Sequence, residues 1–200
     1  MRYLHWLIIL SLLLVGGCAS NYTKVAKDQT LAPPSEEKSQ FVFLRSSFVA
    51  SAINATLYDV TDGEVRFLGF LNNQNKIAYE AEAGKRTFMV VSEAADFMEA
   101  ETVPGKRYYA IATPRMGVWK ARFSLWPIKT DPNAEYATGT DEFRQWKENT
   151  ELVRITPEAR KWFENHEESV KNKYKSYWQK WQQRPAQARE RRTLHEDDGV

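Results

Sequence analysis

The sequence predicts a mainly β protein, an antiparallel sandwich of seven to eight strands followed by a C-terminal α-helical segment. Three observations predict it. Short β-branched and aromatic runs recur between Phe41 and Ile128, about 8–12 residues apart. Turn residues separate the runs. Beyond Thr156 the apolar residues recur instead at steps of three and four, the period of a helix face.

The chain opens with one positive charge, Arg2, and an apolar run from Leu4 to Val15. Twelve helical residues span about 18 Å, short of a hydrocarbon core of about 30 Å. A cleaved signal over residues 1–17 fits better than a membrane span. Small residues and a cysteine follow as Val15-Gly16-Gly17-Cys18. This stretch resembles the bacterial lipobox. The resemblance implies cleavage between Gly17 and Cys18, a thioether diacylglycerol (palmitate-type acyl chains) on Cys18, and N-acylation. Two or three acyl chains hold a protein on a bilayer far better than one. Ala19 is not Asp, which by the sorting rule that the resemblance brings points to the outer membrane, facing the periplasm. Cys18 is the single cysteine of the chain, so neither a disulfide framework within the chain nor a cysteine metal cage is expected.

Removing Arg2 with the signal leaves 27 basic against 26 acidic side chains. That balance argues for no nucleic-acid partner. Aromatic residues make up 13% of the chain, with seven Trp, enough to fill a core.

After Cys18 the stretch to residue 39 is polar, with Pro33-Pro34. It has too little apolar content to pack. Residues 18–39 therefore read as the lipidated cysteine plus a flexible tether, reaching about 25 Å.

The sandwich domain is expected over 40–128. Its runs are FVFLR (41–45), INATLYDV (53–60), VRFLGFL (65–71), IAYEA (77–81), RTFMVVS (86–92), DFMEAETV (96–103), RYYAIAT (107–113) and VWKARFSLWPI (118–128). Turn signals lie between them at Thr61-Asp62-Gly63, Asn72-Asn73-Gln74-Asn75, Gly84, Pro104-Gly105 and Arg115-Met116-Gly117. Alternation places Val65, Phe67, Gly69 and Leu71 on one face, and sets Phe88 and Val90 against Met89 and Val91.

Gly-Lys-Arg occurs twice, at 84–86 and 105–107. A phosphate-binding loop needs a second glycine ahead of Gly-Lys, a Ser or Thr after it, and then a helix whose N–H groups meet the phosphate. Tyr79 and Ala100 occupy the glycine positions, Arg86 and Arg107 the hydroxyl positions, and strands follow. Both copies read instead as turns in which Gly84 and Gly105 take positive φ. The run from Tyr79 through Ala112, with its paired Gly-Lys turns and Tyr108-Tyr109, resembles the sandwich domain of bacterial lipoproteins and is similar in layout to PEGA and carboxypeptidase-regulatory-like modules. The resemblance covers about residues 40–128. It implies a small extracytoplasmic binding or spacer module with no known active site. Ala83 stands where proline is commoner.

Residues 129–155 read as a linker with a short helix at 143–149, capped by Thr140 or Asp141. Thr156-Pro157-Glu158 then gives a hydroxyl N-cap, a proline in the first turn and an acid beside it. An amphipathic helix over 156–184 follows. Ala159, Trp162, Phe163, His166, Val170, Tyr174, Tyr177, Trp178 and Trp181 form one stripe. The stripe packs on the sandwich or on the short helix, or else Trp162, Phe163, Tyr174, Tyr177, Trp178 and Trp181 meet a partner. His166 reads as a packed or partly exposed histidine rather than a ligand.

The last stretch, 185–200, reads as a charged tail. From Ser169 to Arg192, Lys171, Lys173, Lys175, Lys180, Arg184, Arg189, Arg191 and Arg192 stand against Glu190 alone. These are the expected contacts to anionic lipid or to acidic glycan such as peptidoglycan; otherwise they form a solvated face with a frayed end.

Nothing in the sequence names a reaction or a cofactor. There is no Gly-x-Ser-x-Gly, no histidine-based triad and no metal-ligand cluster. Asp59, Asp62 and Glu64 read as turn acids, and Glu80, Glu82, Glu93 and Glu99 as strand-surface acids. The expectation is a membrane-anchored envelope lipoprotein with a non-catalytic binding or structural role. A subunit of an envelope or secretion assembly, docking an envelope protein through the aromatic helix, is the second reading. A small hydrolase using carboxylates is the remote third. Oligomeric state is left open.

Overall fold

A computed structural model describes residues 21–47, 49–115 and 122–200. The signal, Gly17, Cys18 and the turn at Met116-Gly117 lie outside the described residues. Within them the chain is mostly β, with a long helix near the C-terminus. The elements are β1 (Thr23–Val25), β2 (Lys38–Arg45), β3 (Ala55–Asp59), β4 (Arg66–Leu71), β5 (Asn75–Glu82), β6 (Gly84–Val91), β7 (Ala95–Thr102), β8 (Arg107–Arg115), β9 (Arg122–Ile128), α1 (Asp141–Glu148), β10 (Glu151–Ile155), α2 (Pro157–Gln182), α3 (Ala186–Glu190) and β11 (Thr193–Leu194). A 3₁₀ turn at Glu196–Asp198 closes the chain.

Each of the eight runs read from the sequence forms a strand. The antiparallel expectation needs correction, because both sheets are mixed. One has the order β1-β10-β5-β2-β8-β9, the other β11-β7-β6-β3-β4. The pairs β10–β5, β2–β8 and β11–β7 are parallel. Three strands escaped the sequence reading. β1 and β11 are too short to show a period, and β10 lies in a stretch read as linker.

The sheets pack face to face. Phe41 and Phe43 from β2 meet the edge of the Phe88 ring from β6 at 4.6 and 4.9 Å. Leu57, Val90, Met98, Tyr108 and Leu125 complete this inner core. The opposite residues of the five-stranded sheet, Tyr58, Met89, Val91 and Phe97, are buried under α2. β3 is therefore buried along its whole length. A third cluster, with Val42, Leu44, Tyr109 and Ile111, lies on the outer face of the six-stranded sheet. Phe143 of α1 covers it, with Tyr136 and Trp146.

The alternation of β6 holds: Phe88 and Val90 face the inner core, Met89 and Val91 the helix. That of β4 does not. The β3–β4 register shifts between Leu57 and Tyr58, so Leu57 opposes Gly69 while Tyr58 opposes Phe67. This bulge changes the phase of the strand. Val65 and Phe67 turn to the helix, and Leu71 to the inner core. Gly69 sits at φ 146°, and a Cβ there would come within 2.8 Å of Ile155 Cγ2.

The stretch read as a tether is built into the fold over its described part. β1 pairs with β10, and Ala26 N–H donates to the Leu152 carbonyl at 2.8 Å. The Gln29 amide accepts from Leu152 N–H and donates to the Ala26 carbonyl. Arg107 donates to the Ala32 carbonyl at 2.6 Å. Backbone pairing to a neighbouring strand supplies what low apolar content could not.

The charged tail is also docked. β11 adds to β7, Leu194 is fully buried in the inner core, and Val200 exchanges backbone hydrogen bonds with Arg107. Gly199 lies so close to Tyr108 and Lys106 that a Cβ would meet their atoms at 2.7 Å. Asp198 caps the final turn through His195 N–H and accepts from Thr130 N–H.

Candidate functional site

The twin Gly-Lys-Arg turns come together in space. At each, the chain leaves one sheet for the other: β5 passes to β6 at Gly84, and β7 passes to β8 at Gly105. Gly84 has φ 106° and Gly105 φ 75°. Gly84 pairs with Thr102, and Gly105 N–H donates to the Lys38 carbonyl. The Ser39 hydroxyl ties the crossovers, donating toward Thr102 Oγ1 and the Val103 carbonyl at 2.9 Å each. The repeated tripeptide is one corner used twice. Lys85 is exposed beside Glu101, Lys106 reaches the Glu196 carbonyl, and Arg86 turns inward to Asp59.

The aromatic stripe of α2 packs on the five-stranded sheet, on the side away from α1. Thr156 is the N-cap and accepts from Ala159 N–H; Thr140 does the same for α1. Phe163 stacks on Phe67 at 5.2 Å, Trp178 meets Phe97 at 5.2 Å edge to face, and Trp181 lies 5.8 Å from Phe97. Trp181 is only 1% exposed, and Tyr174 and Tyr177 are half-buried against the same cluster. Burial raises the Tyr174 phenol above its ordinary pKa. His166 is exposed, stacked on Trp162 at 4.4 Å, with Nδ1 2.7 Å from the Trp162 carbonyl.

The basic run is largely turned onto the protein. Arg192 and Arg184 converge on buried Asp96, Arg189 on Glu99, Arg191 on Glu135 and Lys171 on Glu167. Lys173 donates to the Ser92 carbonyl, and Lys180 lies over the Tyr177 ring. Lys175 is exposed and has no ion pair among the described residues. Four of the run's eight basic groups, all arginines, meet three acids from other elements. Sequence spacing cannot show those acids.

Asp59, read as a turn acid, is buried at the end of β3. It accepts from Thr61 N–H, the Thr61 hydroxyl and the Tyr79 hydroxyl, with Arg66 and Arg86 at 3.4 and 3.7 Å. Burial, then the Asp59 charge, raises the Tyr79 phenol. Arg45 is fully buried with no carboxylate partner among the described residues. It donates to the Leu71 and Ala50 carbonyls and lies 4.2 Å over Phe123. Burial pulls its pKa down to about 10. Asp59 is satisfied from within the fold. Among the described residues, Arg45 Nε is buried without a hydrogen-bond partner, and no cluster of His, Cys, Asp or Glu could hold a metal ion.

Of several hollows among the described residues, the one beside the aromatic stripe is a cleft of about 570 Å³ between the first half of α2 and the ends of β3, β4 and β6. Tyr22, Ile53, Phe70, Val91, Trp162 and Val170 line it. Tyr22 stacks on Phe70 at 4.5 Å, and Trp162 meets Phe70 at 4.9 Å. Asn54, Thr56, Ser92, Glu93, His166, Ser169 and Lys173 supply its polar groups. A hollow with apolar walls and polar groups converging on it is the common form of a small-molecule site. The stripe reading anticipated Trp162 and Val170. Tyr22, Ile53 and Phe70 come from three separate segments, and nothing local marked them as one wall.

No helix among the described residues is long and apolar enough to cross a membrane. No family model matches this chain, and no curated protein matches it either.

Proposed function

We propose that the chain is a lipid-anchored envelope protein with a non-catalytic binding or structural role, held on the outer membrane and facing the periplasm. The observation that carries this is Val15-Gly16-Gly17-Cys18 at the end of an apolar run, with no other cysteine in the chain. The β-rich body and its paired Gly-Lys corners fit the likeness to PEGA and carboxypeptidase-regulatory-like modules. Of the carboxylates that a hydrolase could use, Asp59 is buried against arginines, and Glu93, which lines the cleft, lies 3.9 Å from Arg122. The stripe of α2 is covered by the chain's own sheet, which favours this reading over docking of a partner through that helix.

Tyr22 is packed in the body, so the span from Cys18 to it is four residues, about 14 Å when extended. The anchor therefore holds the body close to the bilayer, not at the end of a long tether. The test is intact mass of the protein purified from membranes. The wild type is expected to begin at an acylated Cys18. Cys18→Ser should lack acyl mass and retain its signal. A wild-type chain without lipid on Cys18 would overturn the proposal.

A further inference from the structure

We propose that the cleft between α2 and the ends of β3, β4 and β6 shelters one acyl chain of the protein's own Cys18 anchor. This rests on the lipoprotein reading. The cleft opens beside the first described residues. Tyr22 forms part of its wall, and Asn21 is fixed by its carbonyl, which accepts from the Thr156 hydroxyl at the N-terminus of α2. Only residues 19–21 separate Cys18 from Tyr22, so the Cys18 backbone lies within about 14 Å of Tyr22 and a chain attached to it can reach that wall.

The chemistry of the hollow suits an aliphatic chain. Phe70, Trp162, Val91, Val170 and Ile53 present apolar surface, and burying it against methylenes is favourable. Its volume, about 570 Å³, lies within the range of small-molecule pockets, roughly 300–1,000 Å³. Of its charged groups, Lys173 already donates to the Ser92 carbonyl, and Glu93 pairs with Arg122 at 3.9 Å. An N-acylated diacylglyceryl cysteine carries three chains. Two hold a protein on a bilayer, which leaves the third free to fold back onto the protein.

The experiment uses the full chain, expressed with a diazirine-bearing fatty acid so that Cys18 carries the photoprobe, and reconstituted in phospholipid nanodiscs. After irradiation, adducts are mapped by mass spectrometry. The expected result is adducts within the same chain on the peptides holding Phe70, Trp162 or Val170. Ser169→Trp fills the cleft from an exposed helix position, and should reduce those adducts at least fivefold with acyl mass unchanged. Asn54→Trp, exposed on the opposite wall, should do the same and guards against a folding defect in one variant. Acylated Cys18 whose adducts fall only on phospholipid, or on a second copy, overturns the proposal. So does a cleft found occupied by unattached fatty acid, which would assign it to bilayer lipid. Absence of acyl mass on Cys18 is a separate outcome: it overturns the lipoprotein reading beneath.

Discussion

Arg192 donates to Asp96 at 2.5 Å across 96 positions of sequence, and both side chains are almost fully buried. The same guanidinium donates to the Leu125 and Phe97 carbonyls and lies 4.1 Å over the Trp126 ring. Burial lowers the Arg192 pKa, and Asp96 opposes that shift. One residue from the C-terminal stretch thus links β7, β9 and the path into β11.

Breaking this pair leaves Arg192 buried without a carboxylate, or Asp96 with only the more exposed Arg184 at 3.3 Å. Arg192→Leu or Asp96→Asn is expected to cost about 3–5 kcal/mol, read from the denaturant midpoint. Replacing both by apolar residues should recover much of the loss, because the desolvation cost of the pair disappears with it. Deleting 184–200 should unfold the sandwich, since Leu194 fills the inner core and Val200 pairs with Arg107. A truncated chain with unchanged stability would contradict the docked tail.

The two corner glycines differ from the lysines beside them. A Cβ on Gly84 or Gly105 meets nothing within 4 Å, so substitution there is penalised by backbone conformation alone. Gly84→Val and Gly105→Val should each cost about 1–3 kcal/mol. Lys85→Ala removes one exposed pair with Glu101, worth at most about 1 kcal/mol. Thermal melts of the four corner variants, Lys106→Ala included, check this order. Neutral glycine variants beside damaging lysine ones would reopen an anion site.

Two tryptophans on one stripe should behave differently. Trp181 is buried against Phe97, whereas Trp162 is half-buried at the cleft. Trp181→Ala is expected to cost about 3–5 kcal/mol. Trp162→Ala should cost clearly less while altering what the cleft holds. Equal losses in chemical denaturation would mean that the cleft wall carries as much of the fold as the helix seat.

Tyr79 links stability to alkaline pH. Its phenol donates to the Asp59 carboxylate at 3.0 Å, and its pKa is raised. The folded state therefore holds this proton more tightly than the unfolded chain does. The contribution is complete below the unfolded value of about 10, and is lost as pH climbs through the higher folded value. Tyr79→Phe should lower stability near neutral pH by about 1.5 kcal/mol. The gap to wild type should narrow above pH 10 in unfolding curves taken across that range. A gap that widens would reverse the assigned shift.

Much of the architecture was legible because it depends on local physics. Eight strands, the Thr156 N-cap, Thr140 as one of two candidate caps for α1, the 3.6-residue stripe, and the positive φ of Gly84 and Gly105 each follow from neighbours along the chain. The sequence alone also supports the expectation of an acylated Cys18, which lies outside the described residues. What the tertiary structure decided is pairing across distance. β1 and β11 become strands only because β10 and β7 offer open edges. The bulge at Leu57 and Tyr58 reverses the face of β4. Asp59, read as a turn acid, and Asp96 are buried because arginines reach them from other elements. The cleft exists only where Tyr22, Phe70 and Trp162 meet. A polar segment without a period carries no local signal, and its hydrogen-bond partners lie on strands that sequence order does not place beside it.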